Sequence, residues 1–249
     1  MAMDTVFEPD FIWLDRVDST NSYCMAKAQI GAPEGLVVAA FFQEKGRGQR
    51  GSTWESESGK NLTFSLLLRP IFMKVEEQFT ISKAIALSIC DWLKNNSVDA
   101  CIKWPNDIYV GDKKIAGILI ENSFSSAVLD VSIIGIGFNL NQTIFSPEIP
   151  NPTSLMLLRG NSYRPENVLS ELIESIQSRY LQLQQGLKTK VWADYLKSLY
   201  RFQNLSNYSN ADGSFKAKII GVKPTGELIL ETENGQQRTF GFKEVNFEI

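Results

Sequence analysis

The chain has 249 residues, 43% of them hydrophobic and 21% charged, with a net charge of −3. That length holds one large domain and a small one with ample core, and the acidic balance argues against a general nucleic-acid binder, whose domain is basic. The chain contains no histidine, which excludes Ser-His-Asp and Cys-His catalysis, histidine acid–base chemistry and most zinc enzymes.

Any chemistry therefore runs on lysine, arginine, carboxylates, backbone amides or a hard cation. Cys24, Cys90 and Cys101 stand singly in apolar surroundings without C-x-x-C spacing, which fits buried thiols in a reducing compartment. The first nine residues lack the basic start and apolar core of a signal peptide. No apolar run approaches the ~20 residues of a membrane helix, so a cytoplasmic protein without a membrane partner is expected.

In chain order, residues 11–14 begin a strand. Asp18, Ser19 or Thr20 can cap the helix that follows to about residue 29, ahead of Gly31. Serving as a cap does not stop these side chains from also facing a pocket. Residues 36–42 and 61–68 read as strands. Between them runs Gln43-Glu44-Lys45-Gly46-Arg47-Gly48-Gln49-Arg50-Gly51-Ser52-Thr53-Trp54. Glycines let backbone N–H groups approach a ligand, and arginine offers a fork of donors to carboxylates and phosphates. The loop reads as an anion clamp or as a solvated basic turn. Its Gly-x-Gly-x-x-Gly spelling also matches the dinucleotide fingerprint, but that fingerprint needs a helix next, and a polar stretch and a strand follow instead. A protein-kinase loop is excluded because no His-Arg-Asp or Asp-Phe-Gly element follows.

Apolar spacing predicts a long buried helix over 75–94. The stretch Lys103-Trp104-Pro105-Asn106-Asp107 comes next, with Trp104 read as core. A turn at Gly111-Asp112 then leads into an apolar strand over 113–121, in which Lys113 reads as a solvated hairpin residue. A strand over 127–139 carries Gly135 and Gly137, and interior glycines there imply close approach to the backbone, by a ligand or at a bulge. A helix spans 165–185, started by Pro165 and stopped by Gly186, and another spans 191–200. Beyond residue 201, turn signals at Asp212-Gly213, Pro224-Thr225-Gly226 and Asn234-Gly235 predict a small barrel-like β domain.

Five of these motifs, in order, resemble the biotin protein ligase family: Asp18-Ser19-Thr20-Asn21; Gln43 with Gly46-Arg47-Gly48-x-x-Gly51-x-x-Trp54; Lys103 to Asp107; Lys114-x-Ala116-Gly117-Ile118-Leu119; and Gly135-x-Gly137-x-Asn139. The resemblance implies an α+β fold, with a mixed sheet and helices on one side in a class II synthetase/ligase-like catalytic domain (residues 1–200). A C-terminal SH3-like β domain would occupy 201–249. It implies an enzyme that makes biotinyl-adenylate from biotin and ATP and transfers biotin to a lysine of a biotin carboxyl carrier domain. Both steps need positioning and charge stabilisation more than a protein nucleophile.

By motif, Ser19, Thr20, Asn21, Gln43, Gly46, Gly117 and Gly135 should bind biotin. Arg47 and Lys114 should hold its carboxylate and do the catalysis. Gln49, Arg50, Trp54, Lys103, Asn106, Asp107 and Asn139 should meet the nucleotide: Trp54 and Asn139 the adenine, Lys103 the diphosphate side, and Asp107 a Mg²⁺-bound phosphate. Gln49 departs from the family pattern, which usually has arginine there; Lys45 or Arg50 could compensate. Catalytic motifs beginning at Asp18 leave no room for the helix-turn-helix that some members carry, so no nucleic-acid partner is expected. The oligomer is left open between monomer and homodimer. The rivals are a lipoate–protein ligase of the same fold and a non-catalytic biotin or nucleotide sensor. The polar Ser19, Thr20 and Gln43 suit a ureido ring better than a dithiolane.

Overall fold

The computed structural model describes residues 6–248, the Arg50 side chain excepted. The elements follow the local signals. β1 (Asp10–Leu14) and β2 (Leu36–Ala40) are joined by α1 (Thr20–Gln29), and β3 (Leu62–Leu68) follows the glycine loop. A 3₁₀ turn at Val75–Glu77 precedes α2 (Phe79–Asn95), so the helix expected from residue 75 starts one turn later. Then come β4 (Cys101–Lys103), β5 (Asp107–Val110), β6 (Lys113–Ser125) and β7 (Val128–Phe138). The chain continues through α3 (Leu155–Arg159), α4 (Pro165–Gln184) and α5 (Lys188–Lys197). The last strands are β8 (Ser206–Asn210), β9 (Gly213–Val222), β10 (Leu228–Thr232), β11 (Gln237–Phe240) and β12 (Asn246–Phe247). β4 and α3 have no counterpart in the sequence reading; at three and five residues they are too short to show a period.

Seven strands form one mixed sheet in the order β1-β2-β3-β7-β6-β5-β4. Among the described residues only β1 and β2 of this sheet run parallel; such a pair needs a crossover, which α1 supplies. Alternation along β3 divides the sheet's two faces. Leu62, Phe64, Leu66 and Leu68 join the large core with α2, α4 and α5. Leu67 joins a second cluster with Cys24 and Ala28 of α1. The long helices thus cover one face and α1 packs on the other, on the side to which Thr63 and Ser65 point. In α4 the buried residues Val168, Leu169, Leu172, Ile173, Ile176, Tyr180 and Leu183 recur at helical spacing. Arg179 bonds Asp91 of α2 at 2.6 Å and Asp194 of α5 at 2.7 Å, joining the three helices.

The second sheet, of order β11-β10-β9-β8-β12, is antiparallel throughout and SH3-like. Its turns place Gly213, Gly226 and Gly235 at positive φ, as the turn signals anticipate. The two sheets share one apolar core, which runs from Phe64 and Trp104 to Tyr208, Ile219 and Leu230. All three cysteines are free thiols; burial raises Cys24 to about 12 and Cys101 to about 11, which makes them poor nucleophiles. Among the described residues no helix is long and apolar enough to cross a membrane.

Candidate active site

The site lies on the α1 face of the sheet, where the polar residues of β3 and the glycines of β6 and β7 leave room. Ser19 occupies the N-cap of α1, but its side chain makes no capping bond. Gln43 takes that role: its Oε1 accepts from the Thr20 backbone N–H at 2.8 Å and from the Thr20 hydroxyl at 3.0 Å. The Ser19 side chain lines the pocket beside them. Ser65 Oγ lies 2.8 Å from Thr20 Oγ1 and 2.6 Å from Asn21 Oδ1, with one proton to share between them. Asn21 Nδ2 in turn donates to Glu121 Oε2 at 2.8 Å and to the Leu119 carbonyl at 3.3 Å. Glu121 ends the lane by accepting both forks of Arg47, at 3.1 and 2.7 Å. Such bidentate, charge-assisted geometry is the strong form of this contact. Arg47 therefore already holds a carboxylate, the chemical class it is expected to bind.

The other end of the pocket is built by the β5–β6 hairpin. Lys114 Nζ and Asp107 Oδ1 pair at 2.7 Å, both about a quarter exposed. Asn106 is pinned by its side-chain amide to the Ile118 carbonyl, and its own carbonyl accepts from Ile118 N at 3.1 Å. Trp54 leaves the glycine loop and lies over the sheet, its ring centre 5.6 Å from Lys114 Nζ. A Cβ at Gly137 would come within 2.7 Å of the indole, and one at Gly117 would meet it at 3.1 Å. At Gly135 a Cβ would collide with the Asn21 amide. Gly117 and Gly135 do line the pocket, but the close approach read for them is made by Trp54 and Asn21. Gly46 is fixed otherwise: a Cβ there would run into the Trp54 carbonyl, while its own carbonyl accepts from Trp54 N at 2.9 Å.

The pocket brings together Ser19, Thr20, Asn21, Gln43, Arg47, Gln49, Trp54, Asn106, Asp107, Lys114, Gly117 and Gly135 from across the chain. Two expected nucleotide residues are not in its lining. Lys103 runs instead between the rings of Tyr109 and Phe247, its ammonium 5.1 and 5.3 Å from their centres, and burial lowers its pKa. Asn139 is buried, and its amide donates to the Thr153 carbonyl at 3.0 Å, holding the segment before α3. Trp104 is core as expected, and its indole N–H also donates to Gly226 O at 2.8 Å in the second sheet. Lys113 is exposed. The Arg50 side chain lies outside the described residues.

Residues 13–139, half of the chain, match the biotin/lipoate A/B protein ligase family. The chain belongs to that family. It is 30% identical over 238 residues to the bifunctional ligase/repressor BirA of Bacillus spizizenii, covering 92% of this chain and 71% of that protein. It is 32% identical over 231 residues to the biotin–acetyl-CoA-carboxylase ligase of Paracoccus denitrificans, covering 90% and 95%. Among solved structures, the Aquifex aeolicus biotin protein ligase in complex with biotin and ATP superposes with a TM-score of 0.80. That match is at 26% identity and covers 97% of this chain and 99% of the other.

Within this family member the sequence reading missed Ser65, Glu121, Phe242 and Lys243. Ser65 interrupts an apolar strand and Glu121 follows an apolar run, signals that mark them as unusual without naming a partner. Phe242 and Lys243 line the pocket from the second sheet, and no local pattern points to that. Among the described residues no three His, Cys, Asp or Glu side chains cluster as a metal cage. Asp107 is the one carboxylate among the described residues lining the pocket. A single carboxylate fits the way Mg²⁺ binds, through one or two carboxylates plus substrate phosphates.

Proposed function

We propose that this chain is an ATP-dependent biotin protein ligase, which activates biotin as biotinyl-adenylate and transfers it to a lysine of a biotin carboxyl carrier domain. The observation that carries the reading is the pocket's polarity along its length. Neutral donors and acceptors (Ser19, Thr20, Gln43) line one end, the Lys114–Asp107 pair lines the other, and Arg47, paired to Glu121, stands where the lane that starts at Thr20 ends. A ureido ring suits the first and a carboxylate meeting a phosphate suits the second.

In the first step a biotin carboxylate oxygen attacks the α-phosphorus of ATP, the bond to the bridging oxygen breaks, and diphosphate leaves. Arg47 exchanges the Glu121 carboxylate for that of biotin. Lys114 faces the negative charge that builds between carboxylate and phosphate, where a fixed cation lowers the barrier. Asp107 and the phosphates would hold Mg²⁺, which when bound would offset negative charge on the phosphates. In the second step the carrier lysine amine attacks the activated carbonyl, AMP leaves and the amine loses a proton. Trp54, packed on the floor formed by Gly117 and Gly137, offers its ring to the adenine. The reading places the chain in the cytoplasm with its carrier.

The test is incubation with biotin, Mg·ATP and a cognate carrier domain, read by mass spectrometry of the carrier and by AMP release. The expected result is one biotinyl group on one lysine, with no modification when lipoate replaces biotin. A carrier that gains no mass refutes the activity, and one modified by lipoate alone reassigns the substrate.

A further inference from the structure

We propose that Lys243, carried by the second sheet, is a ligand of the nucleotide's phosphate chain. The inference rests on the ligase reading above and adds a residue from outside the family match, which ends at residue 139. Lys243 lines the same pocket as Asn106, Asp107 and Lys114. Its Nζ donates to Ser52 Oγ of the glycine loop at 3.5 Å, so the side chain spans from the second sheet to the anion clamp.

The position of this lysine is built rather than incidental. Lys243 sits at φ +68°, a conformation side-chain-bearing residues rarely adopt. A tight turn holds it there: Gly241 N donates to Glu244 Oε2 at 2.6 Å, and Glu244 N donates to Gly241 O at 3.1 Å. The preceding Phe242 packs its ring 5.4 Å from Trp104 and 6.1 Å from Phe79. Trp104 also donates to Gly226. The motif Lys103 to Asp107 thus has two functions on its two sides. Lys103 and Trp104 grip the second sheet, while Pro105, Asn106 and Asp107 line the pocket into which that sheet delivers Lys243.

Charge explains why the site would use it. Arg47 and Lys114 bring two positive charges to the pocket, and position 49 of the loop is a neutral glutamine. A nucleoside triphosphate brings several negative charges to this end of the pocket. Lys243 adds a positive charge on a flexible stem, the form in which lysine binds phosphate.

The experiment uses the full chain with Lys243→Gln and Lys243→Arg, measuring diphosphate release against Mg·ATP at saturating biotin, and biotin binding by calorimetry without nucleotide. The Gln variant should raise KM for Mg·ATP about tenfold, as loss of a charge-assisted bond implies. The Arg variant should restore it to within about twofold, and both should bind biotin like the wild type. An unchanged KM for Mg·ATP in the Gln variant overturns the assignment. So does an equal loss of biotin affinity, which would mark a structural role for the turn. A wild-type chain that releases no diphosphate would overturn the ligase reading itself, a result distinguishable from either.

Discussion

Replacing Gly135 by alanine puts a methyl carbon 2.9 Å from Asn21 Cγ and 3.0 Å from its Nδ2, with Oδ1 nearer still. Neither side can easily yield. Gly135 lies in β7 between two antiparallel partners, in register with Ser65 on one side and Leu119 on the other. Asn21 is buried, and its amide is held by Ser65, Glu121 and the Leu119 carbonyl. Displacing it breaks two neutral hydrogen bonds, each contributing about 1 kcal/mol, and one to a carboxylate contributing about 1.5–3. Partial relaxation brings the expected loss to about 2–4 kcal/mol. At this chain length that lowers Tm by roughly 4–16 °C. Because the same amide connects Thr20's neighbour Ser65 to the Arg47–Glu121 pair, biotin affinity should fall together with stability. The assay is thermal melting plus calorimetric biotin binding for Gly135→Ala, Asn21→Ala and the double variant. Once Asn21 is shortened, the added methyl has nothing to strike, so the double variant should be no less stable than Asn21→Ala alone. Strictly additive losses, or a Gly135→Ala chain with wild-type Tm and affinity, would refute the packing argument.

Lys114→Ala removes the cation facing the reacting groups and leaves Asp107 without its 2.7 Å partner; diphosphate release should drop by about 10²-fold or more, and near-normal turnover would remove Lys114 from the chemistry. Gln49 lines the pocket, and a charge-assisted bond is about twice as strong as a neutral one. Gln49→Arg should therefore slow loss of biotinyl-adenylate in a chase without carrier, and Gln49→Ala should speed it while diphosphate release stays intact; equal rates in all three chains would show that position 49 does not retain the intermediate. Lys83, fully buried and with no hydrogen-bond partner for Nζ among the described residues, rests on the Trp192 ring at 3.6 Å, and burial lowers its pKa from 10.5 to about 7. Between those values the unfolded chain binds a proton that the folded chain lacks, so this group's contribution makes stability rise with pH over that window. Lys83→Met should be the more stable chain by at most about 5 kcal/mol at and below pH 7, with the gap narrowing toward pH 10. A gap in denaturant midpoint that stays constant over that range would show that Lys83 keeps its proton in the folded state.

The sequence by itself determined the elements and most of the pocket. Apolar spacing marked α4, Pro165 and Gly186 marked its ends, and the glycines at 213, 226 and 235 marked the second sheet's turns. Each of these is a local preference of backbone or of a single buried face, so each is written within a few neighbouring residues. The resemblance of the motifs to a known family assigned Gln43, Arg47, Asp107 and Lys114 to one site, and the fold does bring them to one pocket. Only the tertiary structure decided which partner each polar group takes. It turned the Asn139 amide to the Thr153 carbonyl and the Lys103 ammonium to two rings. It also joined Asn21 to Glu121, 100 residues away, and Lys243 to Ser52 across 191. A hydrogen bond needs its two atoms placed within a few tenths of an ångström. Between distant residues, that placement depends on strand register and on how the two sheets pack, neither of which is encoded by the residues that make the bond.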